Sequence, residues 1–260
     1  MSEGCGIVDP DAPEPSEKKR WYMNEKPQRE GMYEPTPHEH CANILTHGIA
    51  ILPSLIIMQV LMSASHRELQ YYIMIIYGIA TILLFAMSTA YHLAEYLYRP
   101  HQSTGFSRKL RYYLHLMDRS TIYFFIAASA TPWLALRHCA LLGKNLKWIV
   151  WVSAILGISY QFKFHERYKT LETVLYFIVS AIPYLGMITM SDRTGLPLML
   201  LGGAVYAIGV VFFKLDGVVP FAHAIWHVHV LLGASIHTYA IYATLLGPDK
   251  YNPFPEVDFD

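Results

Sequence analysis

Two histidines in the segment PFAHAIWHVHV, residues 220–230, have the residue type and the spacing of a functional pair. His223 and His227 are four residues apart, so on an α-helix both imidazoles lie on one face, about one turn apart. Such a pair can bind a metal ion such as zinc, or a haem. The simpler interpretation is two histidines at the end of a membrane helix that are hydrated at the interface. The pair alone does not choose between these interpretations.

The composition places the histidine pair in a membrane protein. Of 260 residues, 53% are hydrophobic and 15% are charged, which is too apolar for an ordinary soluble domain. Seven apolar segments approach the ~20 residues that a helix needs to cross a bilayer. The sequence therefore predicts an all-α fold, a seven-transmembrane helix bundle. The predicted spans are 44–63, 72–97, 119–137, 146–163, 171–190, 196–214 and 223–246.

Charge sets an expected orientation and argues against a nucleic-acid partner. Lys and Arg together number 20, as do Asp and Glu, so there is no basic excess for nucleic acid to bind. Fourteen of the 20 basic residues fall on the side of the N-terminus, which predicts a cytoplasmic N-terminus and a C-terminus on the opposite side. The predicted parts are a disordered cytoplasmic tail (1–36), a seven-helix membrane domain (37–247) and a short acidic tail (248–260).

With this topology, five polar residues that are distant in sequence fall near one depth, in the cytoplasmic leaflet. They are Ser88, His92, Asp118, His223 and His227. Three neutral histidines suit zinc and leave a fourth position for water, although spacing alone does not exclude haem. Asp118 is placed to hold or deprotonate such a water, and Ser88 to hydrogen-bond it. Taken singly, Asp118 is equally an interfacial acid paired with Arg119 or Arg111, and Ser88 a helix-packing serine.

Four short motifs carry a family resemblance over residues 36–246. In chain order they are EHCANILTH, STAYH, MDRSTIYFFIAASATPW and HAIWH, which include Glu39 and Asn43 as well as the five polar residues above. With these motifs, the chain resembles the progestin and adipoQ receptor family, which is related to the hemolysin III-like membrane proteins. The segments YFFIAASATPW and VVFFKLDGVVPFAHAIWH resemble a group of macrophage differentiation factors within that family.

The resemblance implies a zinc ion bound by His92, His223 and His227, with Ser88 and Asp118 around its water. It also implies a receptor or signalling protein of Golgi or other internal membranes, or of the plasma membrane, that promotes Ras–ERK-type kinase signalling through cytoplasmic proteins. The alternative is a zinc-dependent, ceramidase-like amide hydrolase, with ceramide or another sphingolipid as the membrane lipid it acts on.

Other histidines receive simpler interpretations. His47 begins the first span at the same depth, so it is either a fourth ligand or, as we favour, a helix-start histidine. His229 is expected to face away from the pair, and His237 to be a hydrogen-bonded interior histidine. His115 and His165 are expected to lie near loops without a special role. Many hemolysin III-like chains have His where this chain has Arg119, a permanent cation that is able to pair with Asp118 and hold its carboxylate ionised.

Overall fold

The apolar segments form helices throughout the part of the chain that the computed structural model describes. That part comprises residues 22–24, 33–98, 105–137, 139, 141–165, 167–190 and 192–246. The helices are α1 (Pro37–Ser63), α2 (Glu68–Tyr98), α3 (Gly105–Leu136), α4 (Leu141–Phe164), α5 (Lys169–Ile188), α6 (Leu196–Phe213) and α7 (Ala222–Leu245). The predicted all-α, seven-helix fold is confirmed. The third helix begins earlier than the predicted span. Its first turns are polar, so they lie outside the apolar run from which the span was predicted.

Local signals explain where the first and last helices begin. The Thr36 hydroxyl accepts the Glu39 backbone N–H and the Glu39 carboxylate accepts the Thr36 N–H, which is a capping box followed by Pro37 in the first turn. α7 begins after Phe221, whose φ of 57° makes it the one described non-glycine residue in the left-handed region. A bulky residue there is strained, so surrounding contacts must hold it.

Five of the described helices are long and apolar enough to cross a membrane: α1, α2, α5, α6 and α7. Large apolar side chains such as Ile49, Leu52 and Ile56 are exposed along α1, as expected for a surface that faces lipid. α3 differs because it lies inside the bundle, packed on α2, α4, α5 and α7, and so needs little lipid-facing surface. Its polar stretch from Asp118 to Thr121 is covered by neighbouring helices.

The two ends of the bundle differ in polarity. We call the end where α1, α3, α5 and α7 begin the site end, and the opposite end the far end. At the far end Arg137 pairs with Asp192 and donates to the Thr244 carbonyl oxygen at 2.6 Å. Gln70 donates to the Leu245 carbonyl oxygen at 2.9 Å, which ties the start of α2 to the end of α7. These contacts join α7 to α2 and to the ends of its other neighbours at the far end.

Part of the predicted N-terminal tail packs on the site end. The Asn24 side chain donates to the Glu34 carbonyl oxygen at 2.8 Å, and its backbone N–H donates to the Tyr33 hydroxyl at 3.1 Å. The Tyr22 ring packs against His38 and Phe221. The remainder of the predicted tails, residues 1–21, 25–32 and 248–260, lies outside the described residues.

Close packing of α3 on α4 gives a stability prediction. A Cβ on Gly157 would overlap the ring of Tyr123, which is fully buried and has no room to move. We expect Gly157→Ala to lower the free energy of unfolding by about 1–3 kcal/mol, measured as a lower melting temperature of the purified protein. Gly105→Ala is the control, because nothing lies within 4 Å of its Cβ. An unchanged melting temperature in the Gly157 variant would contradict this helix contact.

Candidate metal centre

A cavity of about 300 Å³ at the site end contains all five polar residues that the sequence placed at one depth. Helices α1, α2, α3, α5 and α7 contribute side chains to its walls, together with the last residue of α6. The helices that carry the five residues are therefore arranged so that their polar faces converge laterally as well as in depth. The sequence had predicted only that the five residues lie at one depth.

Three histidines in this cavity form a cluster that can hold a metal ion. One ring nitrogen from each of His92, His223 and His227 lies within 4.8 Å of the others. The ring centroids are 5.0 Å apart for His92 and His223, 5.1 Å for His92 and His227, and 4.7 Å for the α7 pair. His92 and His227 are buried and His223 is half-buried. The four-residue spacing on α7 thus does place both imidazoles on one face, opposite α2.

Hydrogen bonds fix which nitrogen two of the histidines present to the cavity. Nδ1 of His223 lies 3.1 Å from the Asp216 carboxylate, which only accepts, so that nitrogen carries the proton. Nδ1 of His227 lies 3.1 Å from the Thr46 hydroxyl and 3.3 Å from the Asn43 carbonyl oxygen. Thr46 donates its proton to backbone carbonyls, so it too accepts from the ring. Both histidines therefore keep Nε2 as a free lone pair, which is the form that binds metal.

His92 supplies the observation that tests whether a metal fits. Both of its ring nitrogens are buried, and neither has a hydrogen-bond partner among the described residues. A buried imidazole without partners is costly, and such groups in native proteins call for a specific explanation. Because its ring faces His223 and His227, a metal ion shared by the three would provide that explanation. The residues present therefore fit a metal ion.

Asp118 and Ser88 lie beside the histidines and are linked to His47. The Ser88 hydroxyl lies 2.8 Å from Nδ1 of His47 and is within hydrogen-bonding reach of the Asp118 carboxylate. One hydroxyl donates a single proton, so a Ser88 that donates to Asp118 accepts from Nδ1–H of His47. His47 also stacks on His227, with 3.7 Å between ring centroids. His47 is therefore buried within the site, whereas the sequence favoured an ordinary histidine at the start of a helix.

Arg119 lies in the wall of the cavity and contacts α5 and the preceding turn of its own helix. Its guanidinium pairs with the Glu172 carboxylate at 2.6 Å and donates to Nε2 of His115 at 3.0 Å. The Tyr176 hydroxyl also donates to Glu172, at 3.0 Å. The sequence suggested Asp118 as an acid with which Arg119 is able to pair, and it did not predict the contact with Glu172 on α5. Arg111, the other partner considered for Asp118, pairs with Glu95 at 3.4 Å.

Glu39 connects the start of α1 to the start of α7. One carboxylate oxygen accepts the Phe221 N–H at 3.3 Å, and the other accepts the Thr36 N–H at 2.8 Å and the Tyr33 hydroxyl at 2.7 Å. Burial and the hydrogen bond to Glu39 raise the pKa of Tyr33, so the phenol stays protonated and donates. Glu39 thereby holds the left-handed residue that lies two positions before the ligand candidate His223.

Several histidines were assigned correctly from sequence and others were not. His229 bonds the Ile225 carbonyl oxygen on its own helix, and His237 bonds the Met199 carbonyl oxygen of α6, as expected of residues outside the site. His115, expected to be a loop histidine, is buried in the cavity wall and stacks on Tyr91 at 4.4 Å. Sequence reasoning also passed over Glu172, although a single acid in an apolar span was a signal that could have found it.

The fold and the site together define a multi-pass integral membrane protein with a polar cavity at one end of its helix bundle. The sequence model of the Haemolysin-III related family matches residues 36–238. The chain belongs to this family, and its resemblance to the progestin and adipoQ receptor and hemolysin III-like proteins is confirmed.

Named relatives cover most of the chain. The monocyte to macrophage differentiation factor of Homo sapiens is 38% identical over 224 residues, which are 86% of this chain and 92% of that protein. Hemolysin-3 of Bacillus cereus is 32% identical over 209 residues, 78% of this chain and 90% of that protein. A hemolysin-3 homolog of Bacillus subtilis (strain 168) is 30% identical over 206 residues, 77% of this chain and 91% of that protein. No solved structure matches the chain.

Removing one histidine of the cluster should remove the metal. We expect purified His227→Ala to lose the bound divalent metal, because two imidazoles do not complete a protein site of this type. Metal content per chain is measured by mass spectrometry of the elements. His229→Ala is the matched control, since it removes a histidine two residues away that bonds only its own helix. Equal metal content in both variants would contradict the cluster as the metal site.

The contact between Asp216 and His223 should control metal affinity. We expect Asp216→Asn to weaken metal binding about 10–100-fold, because the neutral amide no longer fixes the proton on Nδ1 of His223. Affinity is measured by competition with a chelator of known strength. Asp192→Asn removes an acid at the far end, so it serves as the control for a general loss of stability. If the two variants bind metal equally well, Asp216 does not orient His223.

Proposed function

We propose that this chain is a multi-pass membrane receptor or signalling protein whose ligand cavity contains an intramembrane zinc ion. The zinc would be held by His92, His223 and His227. The observation that carries the proposal is the convergence of three imidazole nitrogens inside a cavity, with both nitrogens of His92 lacking a partner in the described part of the chain. Three neutral imidazoles suit zinc and leave one position open to a ligand.

The side of the membrane and the pathway belong to the same proposal. The excess of Lys and Arg at the site end favours a cytoplasmic location for that end. A ligand that binds there could change the contacts of loops reached by cytoplasmic proteins, including those of Ras–ERK-type kinase signalling. The name of the human relative refers to cell differentiation, which supports a signalling role. We propose Golgi or other internal membranes as the location, with the plasma membrane as the alternative.

A second function is favoured by Asp118 and Ser88, which lie in the same cavity as the histidines. They suit a hydrolase that cleaves the amide bond of ceramide or another sphingolipid. Zinc supplies Lewis acidity when bound at such a site. Asp118, oriented by Ser88, accepts a proton from water as its oxygen bonds to the amide carbon. The carbon–nitrogen bond then breaks, and Asp118 returns the proton to the departing amine, giving a fatty acid and a sphingoid base.

Asp118→Ala separates the two functions. If the chain is a hydrolase, purified protein releases fatty acid from ceramide, and Asp118→Ala lowers turnover at least about 100-fold by removing the acid–base group. Fatty-acid release is measured beside metal content, and ERK phosphorylation is measured in cells that express each variant. The control His229→Ala should behave as wild type in all three assays. Zinc-loaded protein that has no turnover, with signalling that survives Asp118→Ala, excludes the hydrolase and supports the receptor.

A further inference from the structure

One wall of the cavity carries three cations, and two of them lie close to one aromatic ring. The Arg119 guanidinium lies 5.6 Å from the centre of the Phe213 ring, and the Lys214 ammonium lies 5.8 Å from it. Lys214 also donates to the Lys169 carbonyl oxygen at 3.2 Å, which brings the end of α6 to the start of α5. All four residues line the cavity. We call Arg119, Lys169 and Lys214 the cationic wall.

Two of these cations lack a carboxylate partner in the described structure, whereas the acids of the cavity are already engaged. Arg119 is paired with Glu172, but Lys169 and Lys214 form no ion pair with a described residue. The carboxylates that line the cavity instead contact other groups: Glu39 with Tyr33 and Phe221, Glu95 with Arg111, Asp118 with Ser88, Glu172 with Arg119, and Asp216 with His223. The described part of this wall therefore holds two ammonium groups without an ion-pair partner.

The electrostatic environment of Lys214 also favours a bound anion. Burial lowers the pKa of Lys214, and the nearby Arg119 and Lys169 lower it further, while Glu172 opposes them. Cations held close together repel one another, and an anion bound between them relieves that repulsion. An ammonium has three donors, and Lys214 uses one of them on a backbone carbonyl. Two further donors remain for an oxygen ligand.

The geometry points to a binding site for an anionic head group, a phosphate or carboxylate on a lipid whose chain enters the histidine cavity. The proposal rests on the proposed function only in taking that cavity as the ligand site. Asp118 and Arg119 are adjacent on α3, so the histidine cluster and the cationic wall flank the same helix position. A lipid with its linkage near the histidines would therefore place a short charged head against the wall. Lysine and arginine both recognise phosphate oxygens.

The probes are ceramide 1-phosphate and ceramide, which differ only in the anion. Zinc-loaded full-length protein in phosphatidylcholine nanodiscs is titrated with each, and bound lipid is measured by native mass spectrometry. We expect ceramide 1-phosphate to bind at least about tenfold more tightly than ceramide, since one charge-assisted hydrogen bond is worth that factor. Lys169→Gln and Lys214→Gln should each remove most of this preference. Inorganic phosphate added as competitor tests whether a free anion fills the wall as well as a lipid head.

The matched controls are Lys163→Gln and Arg167→Gln, because both residues are exposed basic residues at the site end that do not line the cavity. If the controls weaken ceramide 1-phosphate binding as much as the wall variants do, general attraction to the basic surface explains the preference and the wall is excluded. Equal binding of the two lipids by wild-type protein also overturns the proposal, whether or not the variants fold. Displacement by millimolar phosphate supports the wall and identifies a free anion as an occupant.

These outcomes are independent of the metal. If the protein contains zinc but binds both lipids equally, the anionic head-group site is excluded and the proposed function is unaffected. If the protein prefers ceramide 1-phosphate but contains no zinc, the zinc centre is excluded and the proposed role of the cationic wall is unaffected.

Discussion

The candidate site depends on the contact of α1 with α2 and α7, although α1 contributes none of the three clustered histidines. His47 of α1 stacks on His227 of α7 and bonds Ser88 of α2. In a membrane interior, polar groups must find partners within the protein, so the helices pack where their polar groups can hydrogen-bond to one another. Asn43, one turn earlier on α1, and Thr46, the residue before His47, accept the proton of His227. A helix outside the histidine cluster thus fixes both the position and the protonated nitrogen of one of its members.

The same requirement for internal partners separates the two ends of the molecule. At the far end, Arg137 and Gln70 direct their donors to free carbonyls at the end of α7, which every helix leaves unsatisfied. Those contacts hold the helices together at that end. At the site end, His92 retains two buried nitrogens without a described partner. Arg137 and Gln70 thus serve to join helices, whereas His92 is available to a ligand.

The sequence predicted the seven helices and the placement of the five polar residues at one end of the bundle, because both follow from the length and order of the apolar runs. It did not predict that His115 and Glu172 join the cavity, because lateral convergence depends on how the helices pack. The early start of α3 was missed because its first turns are polar and largely exposed, so they lie outside the apolar run from which the span was predicted. Asp216 lies in a connecting segment, where no periodic pattern indicates which residue it faces.

Two adjacent residues of α3 explain why one cavity has two chemically different sides. Successive side chains on an α-helix point about 100° apart, so Asp118 and Arg119 cannot face the same neighbour. Asp118 reaches Ser88 on α2, beside the histidines, whereas Arg119 reaches Glu172 on α5. A histidine at position 119 would be shorter and would not carry a permanent charge. The arginine therefore extends positive charge to the wall that Lys169 and Lys214 complete, while Asp118 places a carboxylate beside the histidines.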